Sequence, residues 1–239
     1  MEGRPFDASV IVTTIPVLLP YLLVTLWVGI VSIAAGSALG MLLAWAKIKG
    51  GVILRKAADI YTYVIRCTPA IVLLFIVFYG LPVFVEAYFS YDMDSWDRAA
   101  FVIITFTLLF GGYISEVFRA AYLAVDKGQY EAAVTIGLSP FQAFLHVTLP
   151  QAAVIALPNF GNAVINLLKE GALAYTIGLI DLLGKVNLMI SKNYGSYGTE
   201  YYLASMVIYW VLNFGLGKFF LALETHLAHR REEAGAYGA

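Results

Sequence analysis

The chain has 239 residues, of which 61% are hydrophobic, 15% aromatic and only 13% charged. A soluble domain is closer to half apolar and a quarter charged, so this composition excludes a disordered chain, a nucleic-acid-binding protein and a cysteine-framework secreted domain, and it predicts an integral membrane protein. Fifteen Lys and Arg against 16 Asp and Glu give no global field, and the lone Cys67 forms neither a disulfide nor a thiolate cluster.

In chain order, apolar runs long enough to cross a bilayer as helix fall at 21–45, 61–84, 99–125, 152–169 and 201–223. The expected fold class is an all-α membrane protein of about five spans. Residues 1–20 read as an extracytoplasmic lead-in, because Pro16 and Pro20 interrupt the stretch before the first span. Residues 21–223 form the transmembrane domain, 126–150 a cytoplasmic loop within it, and 224–239 a cytoplasmic tail. Lys47, Lys49, Arg55 and Lys56 crowd the first loop, and Arg119, Lys127, Lys218, Arg230 and Arg231 join them on one side if the N-terminus lies outside. They outnumber Arg4, Arg98, Lys185 and Lys192 on the other side, which puts the N-terminus outside and the C-terminus in the cytoplasm. Ser32, Gly36 and Gly40 stack small side chains on one face of the first span, a signal for close helix packing.

The loop at 128–150 holds the most information. Glu131 sits near a helix start, where the macrodipole favours an acid, and Ala132 and Ala133 are strong helix formers of small bulk. Gly137 permits a turn, and Ser139-Pro140 opens a second helix as a cap and first-position pair. Two short helices joined by a hinge result. Such a helix either lies in a partner's groove or folds back on its own bundle, and the pattern alone leaves both open.

Ionisable groups at membrane depth are candidate functional residues. Glu116 and Arg119, three apart, read as a local ion pair or as part of a gate. Arg66 beside Thr68 is either a snorkelling helix-end charge or a partner for a substrate carboxylate. Lys169 and Glu170 precede Gly171, which weakens the helix where transporters place substrate, and they could equally form a salt bridge at a helix end. Asn162 and Asn166 continue the same face, for substrate orientation or helix–helix hydrogen bonds. Pro69, Pro82 and Pro158 allow bends. The chain has no phosphate-cradling loop, so if nucleotide drives it, another polypeptide binds that nucleotide.

Glu131-Ala132-Ala133, then Gly137, then Val147-Thr148-Leu149-Pro150 resembles the E-A-A-x3-G-x9-I-x-L-P loop of ABC importer permeases, with valine in place of isoleucine. Arg66-Cys67-Thr68-Pro69, Tyr79-Gly80-Leu81-Pro82, Tyr113-x2-Glu116-x2-Arg119 and Leu149-Pro150-Gln151-Ala152 are similar to segments of the polar amino acid permeases of the histidine and glutamine uptake type. So are Leu167-Leu168-Lys169-Glu170-Gly171-Ala172-Leu173 and Ile177-Gly178, with Glu-Gly-Ala where the family has Asp-Thr-Ser. Cys67 replaces a glycine, and Val154 stands where an arginine usually follows. The resemblance covers nearly the whole chain.

It implies a type I ABC importer permease fold in a bacterial inner membrane, without enzymatic activity or a cofactor of its own. ATP and Mg would be bound by a cytoplasmic ABC ATPase dimer. The other implied partners are a second permease subunit, identical or homologous, an extracytoplasmic substrate-binding protein, the lipid bilayer and an amino acid, with no nucleic acid. Coupling to the ATPase carries over to Gly128, Glu131, Ala132, Ala133 and Gly137. Residues 168–181, 193–197 and 200–202 look most like the cystine-type members, with histidine, arginine, glutamine and glutamate as alternatives. A secondary transporter and a non-transporting scaffold are the rivals from other classes.

Overall fold

The computed structural model describes residues 5–93 and 95–236, with side chains up to residue 227. Arg4 and the side chains of Arg230 and Arg231, which enter the reading of the loops, lie outside the described residues, as do Asp94 and residues 237–239. Regular structure among the described residues is helical: α1 (Ala8–Lys49), α2 (Val52–Cys67), α3 (Ala70–Phe75), α4 (Leu81–Phe89), α5 (Arg98–Ala124), α6 (Lys127–Thr135), α7 (Pro140–Ala143), α8 (Leu149–Glu170), α9 (Leu182–Lys192) and α10 (Gly198–Ala236). Five helical stretches are long and apolar enough to cross a membrane: Ala8–Lys49, Ala70–Phe89, Arg98–Ala124, Pro140–Ile177 and Gly198–Leu227. Five crossings place the two ends on opposite sides, and the basic loops put the N-terminus outside.

Several boundaries differ from those expected of the sequence. Helix α1 runs through Pro16 and Pro20, capped by Asp7 Oδ1 on the Ser9 N–H at 2.9 Å, so the stretch assigned to a lead-in is helical and continuous with the first span. At 1.5 Å per residue its 42 residues reach about 63 Å, twice a hydrocarbon core of about 30 Å. The second span is Ala70–Phe89 rather than 61–84. Thr68 is extended at ψ 125° because the ring of Pro69 disfavours helix before it, and α2 ends there as a separate amphipathic helix. Helix α10 continues to Ala236, so the tail begins as an extension of the fifth span. Helix α9 is an element that the pattern of apolar runs did not reveal.

Two wide π turns share one cause. Ile76–Gly80 lies just before Pro82, and Phe144–Thr148 just before Pro150. Proline lacks an N–H and its ring crowds the carbonyl four residues earlier, and a turn holding one extra residue relieves both problems without ending the helix. The second short helix expected after Ser139 is therefore α7 feeding through a π turn into α8, without a break.

Helix α5 is the axis of the bundle. It supplies Val102, Phe106, Leu109, Phe110 and Ile114, all essentially inaccessible to solvent, to a core that α1, α3 and α8 complete with Val28, Leu73, Leu74, Val164 and Leu168. The small-residue stripe of α1 is the α1–α5 seam: Ser32 is fully buried, a Cβ on Gly36 would stand 2.9 Å from Phe110 Cβ, and one on Gly111 would stand 2.7 Å from Leu39 Cδ2. Each helix offers a glycine where the other presents a large side chain.

The connection between the fourth and fifth spans is held by a buried acid. Asp181, 1% exposed, caps α9 through Oδ1 on the Gly184 N–H at 2.8 Å, while Thr25 Oγ1 of α1 donates to Oδ2 at 3.4 Å and accepts from the Leu182 N–H at 3.3 Å. Burial outweighs these bonds and pushes the carboxyl up from 3.8 to about 6. The folded chain thus takes up a proton near pH 6 that the unfolded chain takes up near 3.8, so this group adds stability as pH falls through 6 and stops adding it below 3.8. Asp181→Asn keeps the cap oxygen and removes the proton. Thermal unfolding of variant and parent is expected to show a stability difference that changes between pH 7 and 4. A flat difference over that range contradicts the assignment.

Candidate functional site

The elbow between the third and fourth spans is built from local caps. Asp126 caps α6, its Oδ1 accepting from the Gly128 N–H at 2.7 Å, so the helix starts at Lys127, four residues before the glutamate taken as its marker. The α6 terminus closes with the Leu138 N–H on the Ala133 carbonyl at 3.1 Å and the Gly137 N–H on the Val134 carbonyl at 3.0 Å, the paired bonds of a Schellman end. Gly137 sits at φ 99°, a left-handed conformation that this closure needs. Ser139 and Gln142 then cap each other reciprocally: the Gln142 N–H donates to Ser139 Oγ at 3.3 Å and the Ser139 N–H to Gln142 Oε1 at 2.9 Å.

These caps decide what the elbow presents. Ala133 and Ala143 are buried inside it, whereas Gly128, Glu131 and Ala132 are exposed. Ile136 is 82% and Phe141 71% exposed, on a segment that joins two spans on the cytoplasmic side. Exposed apolar side chains on a rigidly capped turn are a kind of surface on which another protein can dock.

A second group lies along the spans. Helix α8 packs on α1, α5 and α10, and on the face those helices leave uncovered stand Asn162, Asn166 and Lys169, all exposed, at helical spacing. Glu170 ends α8 half-buried, and the helix then tightens to a 3-10 turn over Gly171–Ile177 instead of breaking. Ile65 abuts Gly112, halfway along α5, which places the neighbouring Arg66 at the mid-depth of the third span. The Arg66 guanidinium lies 5.8 Å from the Tyr113 ring centroid, a cation–π pairing on the surface of α5. Thr68 spends its hydroxyl on the Val64 carbonyl at 2.8 Å.

Glu116 stands apart from Lys169 and Glu170. Gly171 abuts Phe106, and Glu116 lies about 15 Å further along α5 toward the cytoplasm, between Arg119 and Lys47. Arg119 Nε donates to Glu116 Oε2 at 2.9 Å, the local ion pair that its spacing predicts. Lys47, counted from the sequence as a loop charge, is instead in the last turn of α1 and 5% exposed. An apolar run ending in lysines looks the same whether the first of them points into the bundle or out of it.

Comparison with known proteins agrees with this architecture. Residues 36–229 match the family model described as "Binding-protein-dependent transport system inner membrane component". The chain is 38% identical over 209 residues to the L-cystine transport system permease protein TcyL of Bacillus subtilis (strain 168), covering 87% of this chain and 86% of that one. It superposes with a TM-score of 0.79 on a chain from the crystal structure of an amino acid ABC transporter with histidines, at 27% identity, covering 93% of this chain and all of the other. An inward-facing MetNI methionine ABC transporter shares the fold, at a TM-score of 0.64 and 20% identity over 88% of this chain and 94% of the other. This is a multi-pass inner-membrane protein whose ATP hydrolysis belongs to a separate subunit, and the chain belongs to the family of binding-protein-dependent transport system inner membrane components, the permeases of ABC importers.

Proposed function

We propose that this permease subunit carries a polar amino acid, L-cystine first among the candidates, by alternating access. The observation that carries a transport path is the polar strip of α8: Asn162, Asn166 and Lys169 are exposed at membrane depth, where a charge facing lipid costs a few kcal/mol at least. Such a face needs a wet cavity, and a second permease subunit, identical or homologous, set against it would enclose one. Lys169 and Arg66 would meet the substrate carboxylate and Glu170 its ammonium, with Asn162, Asn166 and Thr68 orienting polar atoms. Glu116 is left to the cytoplasmic ion cluster.

The elbow would dock on a cytoplasmic ABC ATPase dimer through Gly128, Glu131, Ala132 and Gly137, with the buried Ala133 packing the elbow from within. That dimer would hold the ATP and Mg, and an extracytoplasmic binding protein would deliver substrate. The name of the 38% identical relative favours cystine, which carries two zwitterionic ends suited to paired charges. Histidine is the second reading, favoured by the transporter structure solved with histidines.

Uptake into proteoliposomes holding the copurified complex tests this. Labelled cystine is expected to enter only with ATP on the ATPase side, and a hundredfold excess of unlabelled cystine should suppress the signal more than equal histidine, arginine, glutamine or glutamate. Stronger suppression by histidine transfers the assignment. Uptake that persists without ATP would favour a secondary transporter.

A further inference from the structure

We infer that Lys47 is a positioning residue for coupled transport: it fastens α1 and α2 to α5, so that displacement of the elbow moves the three helices as one body. The inference rests on the coupling role proposed for the elbow.

Lys47 makes two hydrogen bonds through its ammonium and faces a third group, a carboxylate, as an ion pair. Its Nζ lies 2.6 Å from Thr62 Oγ1, 2.5 Å from Glu116 Oε1 and 3.5 Å from Asp59 Oδ1. Thr62 and Asp59 belong to α2 and Glu116 to α5. One side chain, itself 2% exposed, therefore joins three helices. Thr62 Oγ1 in turn donates to the Ala58 carbonyl at 3.0 Å and can accept from the lysine. Charges alternate along Asp59, Lys47, Glu116 and Arg119, so the cluster is neutral and each carboxylate faces a cation.

The position gives this arrangement its consequence. Arg119 stands two turns before the elbow, and α5 continues from it to Asp126, the cap of α6. On the other side of the elbow, Ala121 and Val125 pack against Ala152 and Ala156 of α8. Force applied at the elbow thus enters α5 and α8 directly, but α1 and α2 have no chain connection to it except through the bundle. Across the α1–α5 seam glycines receive Phe110, Ile114 and Leu39, a packing to which Lys47 adds bonds of fixed direction. The two directed bonds of Lys47, to Thr62 of α2 and Glu116 of α5, fix the sliding coordinate.

The test uses the complete reconstituted importer. Lys47→Met keeps the length of the stem and removes the bonds. It is expected to leave nucleotide hydrolysis stimulated by the loaded binding protein while substrate moved per ATP falls about tenfold. Lys47→Arg, which keeps charge and donors, should recover most of that ratio. Glu116→Gln combined with Lys47→Met removes the stranded carboxylate and should show the same tenfold fall. A ratio within twofold of the parent in the Met variants, or transport and hydrolysis falling in equal proportion, overturns the role.

A second measurement needs no change at Lys47. Spin labels on cysteines replacing Trp45 and Leu123, both exposed, in a Cys67→Ser background should report one unchanged α1–α5 distance with and without ATP. A distance that shifts with nucleotide refutes the tie. Failure of the elbow reading itself appears differently, as an unmodified permease that neither retains the ATPase nor stimulates it.

Discussion

Replacing Gly137 with valine is expected to cut ATP-driven uptake by more than tenfold and to remove the stimulation of the ATPase by substrate-loaded binding protein. At φ 99° the residue lies where a β-branched side chain is strongly disfavoured, although nothing stands within 4 Å of the Cβ position. The penalty is therefore conformational, not steric crowding by neighbours. A valine would relieve it by abandoning the left-handed turn, which breaks the Leu138 and Gly137 bonds to the end of α6 and re-aims Ile136 and Phe141. Since the spans are untouched, the variant should insert and purify in normal yield. Alanine should do less damage and asparagine less still, because asparagine visits this region most readily of the three. Full transport with normal ATPase stimulation in the valine variant would reject the elbow as the coupling element.

Gly36→Leu should have the larger effect on stability. The first atom of the new side chain would stand 2.9 Å from Phe110 Cβ and 3.1 Å from the Thr107 carbonyl oxygen. Backbone cannot give way as the tip of a flexible side chain can, so α1 and α5 must separate along their seam. Overpacking of this kind costs about 3 kcal/mol or more, and here it falls on the longest helix pairing of the bundle. The detergent-purified complex is expected to lose its unfolding transition or shift it down by ten degrees or more, with little permease left in the membrane. Gly51→Leu, at a position with nothing within 4 Å, is the matched control and should leave the transition in place.

The spans and the elbow were legible because their signals are local or periodic. Apolar length reveals a crossing, and caps such as Ser139-Pro140 reveal a helix start. What escaped depended on partners distant in sequence or on competing local rules. Pro69 was read as lying inside a span, yet Thr68 before it is extended, and the crossing moved toward the C-terminus by about two and a half turns at its start and more than one at its end. Pro16 and Pro20 were read as interruptions, although α1 carries both.

The candidate site divides in the same way. Asn162, Asn166 and Lys169 share a face because helical spacing alone puts them there. Glu116 pairs with Arg119, as spacing within α5 announces, and with Lys47 of α1, which no such spacing could announce. Asp181 was invisible for a similar reason: an acid before Leu182 looks like a loop residue until Thr25 is found against it. A helix cap buried by a remote element carries no sequence mark beyond the cap residue itself.

The two wide turns change how variation along these spans should be phased. Each inserts one residue into the helical count, so a wheel drawn straight through Ala70–Phe89 is out of register by about 100° from one end to the other. Residues that share a stripe on such a wheel occupy different sides of the real rod. Lipid-facing and inward-facing positions therefore have to be assigned separately above and below Ile76–Gly80, and a single-residue deletion inside that stretch would restore plain helical phase while leaving Leu81–Phe89 facing as it does now.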